Sequence, residues 1–172
     1  MIIHCTKKLA ARLSNVSPEP LADDNPLGSW HAHFYTIDRR NCLMFCHDKT
    51  RFTLFMAGLK KPDFERLEHW FLDYFANTLL TLGYEHELIM KATDLVRELR
   101  FDTHCDRSVQ GTLNIVRTYD LEGYLWQVPD VMDLLPYTTS ARLCGRPVRI
   151  KGMRARECLF PDRAMKQFLM AI

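Results

Sequence analysis

The stretch 30–57 constrains this chain more than any other part of it. Apolar and polar residues alternate there in three runs, 30–37, 41–47 and 51–57, separated by Asp38-Arg39-Arg40 and Asp48-Lys49-Thr50. Alternation of period two marks a strand with one buried face, and the polar interruptions are turn chemistry. The reading is a three-stranded antiparallel meander. A two-residue turn at Arg39-Arg40 sets Phe34 opposite Phe45 and Thr36 opposite Leu43. A similar turn at Asp48-Lys49 sets Phe45 opposite Phe52 and Leu43 opposite Leu54. One face then gathers Ala32, Phe34, Leu43, Phe45, Phe52, Leu54 and Met56, a coherent core face.

The flanking segments supply helices and a few further strands. Residues 1–5 read as a strand, and Thr6 as the N-cap of a helix to about 16 with Leu9, Leu13 and Val16 on one stripe. A proline-rich loop fills 17–29. Pro62 opens a strongly apolar helix that Gly83 ends, and a second helix covers 85–94. Alternation returns over 95–103, a helix starts between Asp106 and Ser108 and runs to about 126, and Pro129 and Pro136 bracket short helical pieces. A strand over 146–151 and a helix from Pro161 to about 170 complete the chain. The strands are bunched rather than alternating with helices. The fold class is therefore α+β, an antiparallel or mixed sheet built around the meander with helices on its faces, in a single globular domain over 1–172.

A hydrophobic share of 47% with 26% charged residues excludes a disordered chain. No apolar run approaches the roughly 18 residues of a membrane span, so no membrane partner is expected. The short apolar start precedes Lys7 and Lys8, the wrong order for a signal peptide, and a cytoplasmic location is expected. Six cysteines lack the spacing of a disulfide scaffold and read as buried thiols. Charge is uneven along the chain. Residues 1–61 hold nine Lys/Arg against five Asp/Glu, 62–136 hold six against fourteen, and 137–172 hold eight against two.

Four constellations bear on chemistry. His31 and His33 project from one strand face near Cys46, with His33 opposite Cys46 in the register above, a feasible metal set weighed against simple packing by Tyr35, Ile37, Met44 and Phe55. His86-Glu87 begins a zinc-protease pattern whose second histidine is replaced by Met90. Arg39, Arg40, Lys60 and Lys61 gather at one end of the meander, where they suit phosphate contacts or merely guard the sheet edge. Asp102, His104 and Asp106, with Arg107 and Ser108, crowd a turn at a helix start, which offers an anion site and acid–base groups unless Asp106 or Ser108 simply caps the helix. No phosphate loop, dinucleotide fingerprint or nucleophile elbow is present, and no cofactor is expected.

Several segments resemble a bacterial family known as a domain of unknown function. They are residues 3–9, Trp30-His31-Ala32, Arg39-Arg40-Asn41-Cys42, Asp48-Lys49-Thr50-Arg51, Gly58-Leu59-Lys60, Asp106-Arg107-Ser108-Val109 with Gly111 and Asn114, and residues 160–165. The resemblance spans nearly the whole chain and implies that these turns belong to a common plan; it implies no reaction or ligand. From the residues alone, the first expectation is a non-catalytic module that binds nucleic acid or another anionic partner. The alternatives are a small hydrolase or nuclease using the Asp102/His104/Asp106 turn, and a homodimeric interaction protein.

Overall fold

A computed structural model describes residues 1–172 except Arg97, Lys151 and Ala155. Its centre is the expected meander: β3 (Trp30–Ile37), β4 (Arg40–His47) and β5 (Thr53–Leu59), all antiparallel. The pairing differs by two residues from the sequence reading. Phe34 faces Leu43 and Ala32 faces Phe45, so the first turn is Asp38-Arg39, with both residues at positive φ. The second connection is longer, and Phe45 faces Leu54 rather than Phe52. A shift of two keeps every side chain on its face. The seven apolar residues expected on one face all lie in one buried cluster.

Around the meander, β1 (Ile2–Cys5) pairs in parallel with β3 and with β6 (Arg100–Asp102), and β2 (Val16–Ser17) closes the far edge. The result is a mixed six-stranded sheet of order β2-β6-β1-β3-β4-β5. The helix expected over 6–16 is a single turn, α1 (Lys7–Ala10), because Val16 and Ser17 are drawn into the sheet against β6. Thr6 makes no side-chain cap. The 146–151 strand reduces, among its described residues, to one bridge between Val148 and Leu159. Of the 95–103 alternation, Leu95 belongs to a helix, Arg97 lies outside the described residues, and among the others only Arg100–Asp102 pairs.

Helices cover both faces. On the first, Leu9 of α1, α3 (Leu67–Thr81), α4 (His86–Leu95) and α8 (Pro161–Ala171) pack on the aromatic side of the meander. A short α2 (Lys61–Glu65) precedes α3, and the apolar helix expected from Pro62 breaks at Arg66. Trp30, Phe45, Phe52, Phe71 and Phe75 meet edge to face at its centre, with ring centroids 5.0 to 6.3 Å apart. On the second face, α5 (Arg107–Ile115) continues through a π-helical segment (Val116–Leu121) into α6 (Glu122–Leu125). With Leu143 of α7 (Pro136–Cys144) it buries Ile37, Cys42, Met44, Cys46 and Phe55. No helix among the described residues is long and apolar enough to cross a membrane.

Candidate functional site

The register of the sheet sets a polar row across its second face. Ser17 pairs with Asp102, Asp102 with His4, His4 with His31, His31 with Cys46 and Cys46 with Thr53. Paired residues point to the same side of a sheet, so two histidines and a carboxylate lie side by side. The row sits where β1 and β6 end. From that point β1 runs into α1, whose Leu9 packs on the first face, while β6 runs into α5, whose Val109 and Leu113 pack on the second. Adjacent parallel strands whose outgoing connections part to opposite faces leave a crevice at their carboxyl ends, the usual position of a ligand site in such sheets.

At these strand ends the hydrogen bonds assign protons. Asp102 has no exposed side-chain surface, and Oδ1 lies 2.6 Å from His4 Nδ1. Its carboxyl also accepts from the backbone N–H groups of Leu21 at 3.0 Å and His104 at 3.0 Å. Burial alone would raise its pKa, but these bonds outweigh burial and hold the group below the usual carboxylate range. A carboxylate only accepts, so in neutral His4 Nδ1 carries the proton and Nε2 a lone pair. That Nε2 lies 4.0 Å from Asp48 Oδ2.

His31 forms a second pair beside the first. Its Nε2 accepts from the Asp106 N–H at 2.6 Å, so Nδ1 is the protonated atom and donates to Asp48 Oδ1 at 2.7 Å. The two imidazole centroids are 4.8 Å apart. His4 and Asp48 keep 13% and 27% of their side-chain surface exposed, whereas His31 keeps 1%. The reachable side chains of the cluster are thus His4 and Asp48, whose Nε2 and Oδ2 approach each other.

The structure sorts the residues expected from sequence. Asp102 belongs to the cluster, as the group that orients His4. His104 contributes its backbone N–H, and its exposed ring stands 6.5 Å from the His4 ring. Asp106 is the cap of α5: its Oδ1 accepts from the N–H groups of Ser108 at 2.7 Å and Val109 at 3.0 Å. Those bonds, Val109's first, depress the Asp106 pKa. The helix start therefore satisfies itself and offers little to an external anion. Ser108 is also committed, since its Oγ accepts from Nη2 of the buried Arg51 at 3.1 Å.

The expected metal set does not converge. His33 faces Met44, and it is His31 that faces Cys46. Both nitrogens of His31 are engaged, and burial pushes the Cys46 thiol up to about 12. Among the described residues no group of three His, Cys, Asp or Glu side chains is arranged to hold a metal ion. The expected anion-binding residues split into two places. Arg39, Arg40, Lys60 and Lys61 are exposed at the far end of the meander, while Arg107 and Ser108 start α5 beside His31. His31 lies six residue steps from Ile37, the partner of Arg40, which is about 20 Å of strand.

His4 and Asp48 were not singled out by the sequence as reactive. Asp48 read as a turn residue, and His4 as part of a short apolar strand. Only the position of β1 between β3 and β6 brings His4 to Asp102, 98 residues away, and no local pattern encodes that pairing.

A family model described as a domain of unknown function (DUF6933) matches residues 2–164. The chain belongs to this family. The match takes in β1, β3, β6 and the start of α5, so the whole histidine–aspartate cluster of this DUF6933 domain lies inside it. No curated protein and no solved structure matches the chain.

Proposed function

We propose that this domain is a small hydrolase in which His4, oriented by Asp102, is the general base that activates water. The observation that carries the reading is the 2.6 Å contact between His4 Nδ1 and a buried, multiply hydrogen-bonded Asp102 carboxylate, at the carboxyl ends of β1 and β6. An imidazole held this way has a defined tautomer, a fixed ring and one free lone pair, the requirements for abstracting a proton from water or a hydroxyl. Asp48, anchored by His31, faces the same gap and is suited to orient that water. The chemistry stays with the hydrolase alternative drawn from the sequence, but the base moves from His104 to His4 and Asp106 becomes a structural cap.

The test is a panel of aryl phosphoesters, aryl carboxyl esters and aryl glycosides offered to purified wild-type protein and to His4→Asn. The expected result is hydrolysis of one class by the wild type, reduced at least about 100-fold in the variant, with His104→Ala retaining most of the rate. Equal rates for wild type and His4→Asn on the substrate hydrolysed would defeat the assignment.

A second reading, recognition of an anionic partner such as nucleic acid, is favoured by the exposure of Arg39, Arg40, Lys60 and Lys61 at one end of the meander. Phosphate contacts are strongest at low salt. Absence of oligonucleotide binding at low ionic strength would remove this reading and leave the first untouched.

A further inference from the structure

Beyond the histidine–aspartate cluster, β3 carries a second feature of another kind. The Thr6 N–H donates to the Ala32 carbonyl at 3.1 Å, just past the last paired residues of β1 and β3, Cys5 and Ala32. In an extended strand the N–H and C=O of one residue point to the same side, and every second residue repeats that direction. Phe34 and Thr36 therefore present their peptide groups on the side Ala32 does, away from β4. Among the described residues no strand of the sheet lies beside them there, because β1 has ended.

What lies beside this edge is an open cleft lined by Lys8, Ala11, Arg12, Phe34, Tyr35 and Thr36. Lys8 and Arg12 are exposed, and no acidic side chain is among the six. The Arg12 guanidinium stacks on the Phe34 ring with its carbon 3.9 Å from the ring centre, which holds one cation at the rim.

We propose that this edge of β3 is a docking site for an extended acidic peptide segment, which adds as a strand beside Phe34 and Thr36 and sets carboxylates against Lys8 and Arg12. The edge offers two N–H donors and two C=O acceptors in alternation, and a peptide backbone matches both kinds. A DNA backbone answers the cations and the donors but supplies no donors to the carbonyls, and an RNA backbone supplies only its 2′-hydroxyls, which do not alternate with acceptors as peptide groups do. A second copy of this chain is opposed by charge, since edge-to-edge pairing brings two sets of Lys8 and Arg12 together. Cations at an edge also guard it against indiscriminate pairing, and an acidic strand is the kind that such a guard admits.

The experiment is amide NMR on the full chain with three probes: acetyl-Glu-Val-Glu-Val-Glu-amide, its Lys-Val counterpart, and the acidic peptide N-methylated on both valines. The acidic peptide is expected to shift the Phe34 and Thr36 amides and slow their hydrogen exchange at least tenfold, while the Lys-Val and N-methylated peptides do neither. Lys8→Glu with Arg12→Glu, both on exposed positions, is expected to weaken the acidic peptide at least tenfold. The proposal is overturned if the acidic peptide leaves both amides unchanged, or if the N-methylated peptide binds as well as its parent, since attraction by charge would then suffice. A single-stranded oligonucleotide of equal charge that moves these amides when the acidic peptide does not would also overturn it.

Discussion

Asp102 links the fold to the chemistry at the scale of one residue. Its carboxylate accepts from His4, Leu21 and His104, so it fastens β1, the 17–29 loop and the start of α5's approach at once. In Asp102→Asn the amide nitrogen must face one of these donors, and neutral His4 loses its reason to keep the proton on Nδ1. We expect a loss of stability of about 1–3 kcal/mol in urea unfolding and a fall in hydrolytic rate on the order of 10²- to 10⁴-fold. A variant with wild-type rate would separate Asp102 from the chemistry. His47 supplies the pH dependence. It is buried, accepts from the Thr50 N–H on Nδ1 at 3.2 Å and donates from Nε2 to the Leu27 carbonyl at 2.7 Å. Burial lowers its pKa from 6.5 to about 4. The unfolded chain therefore binds the proton first, so this contribution to stability is complete above pH 6.5 and is lost as pH falls towards 4. Unfolding midpoints measured between those values should fall, by about 3 kcal/mol in all for a shift of this size. A flat profile would contradict the buried neutral ring. His47 was legible only as a strand residue; its bond to Leu27 depends on how the 17–29 loop closes, which sequence pattern does not encode.

Turns and breaks carry the lessons at the scale of elements. The β3–β4 turn holds Asp38 at φ 49° and Arg39 at φ 61°, the left-handed pair that a two-residue hairpin requires. Glycine is the usual occupant of the second position, and Arg39 tolerates it at a cost of roughly 1 kcal/mol. Arg39→Gly should therefore raise the urea midpoint, equivalent to about 0.5–1 kcal/mol, whereas loss of stability would mean that the guanidinium itself holds the turn. Gly58 is the opposite case, at φ 76° with space for a Cβ only 2.5 Å from Met132 Sδ. Gly58→Ala should destabilise by about 1–2 kcal/mol, since the exposed Met132 can move but the backbone strain remains. The meander's faces were readable because period-two alternation survives a slip of two residues. The turn position was not, because Asp38-Arg39 lacks the Asn-Gly signature that would have fixed it. The early end of α1 and the reduction of the described residues of 146–151 to one bridge were likewise hidden, since both are decided by which strand edge is free to pair.

The whole molecule consists of two unlike layers on one sheet. The first face is an aromatic core assembled from residues that the sequence already grouped. The second mixes a smaller apolar cluster with the polar row Ser17, Asp102, His4, His31, Cys46 and Thr53. A row of this kind follows from strand order, and the order β2-β6-β1-β3-β4-β5 contains three parallel pairings, β2–β6, β6–β1 and β1–β3, that composition and periodicity leave open. That is why the candidate site was half legible: Asp102 and His31 stood out as chemistry-bearing types, while His4 and Asp48 gained meaning only from their neighbours. The central claim is that Asp102 fixes neutral His4 with a free Nε2. Long-range ¹⁵N–¹H correlation spectra of the histidine side chains test it without any substrate. Neutral His4 and His31 are expected as the Nδ1-protonated tautomer, and His47 as the Nε2-protonated tautomer. His4 found with its proton on Nε2 would contradict it.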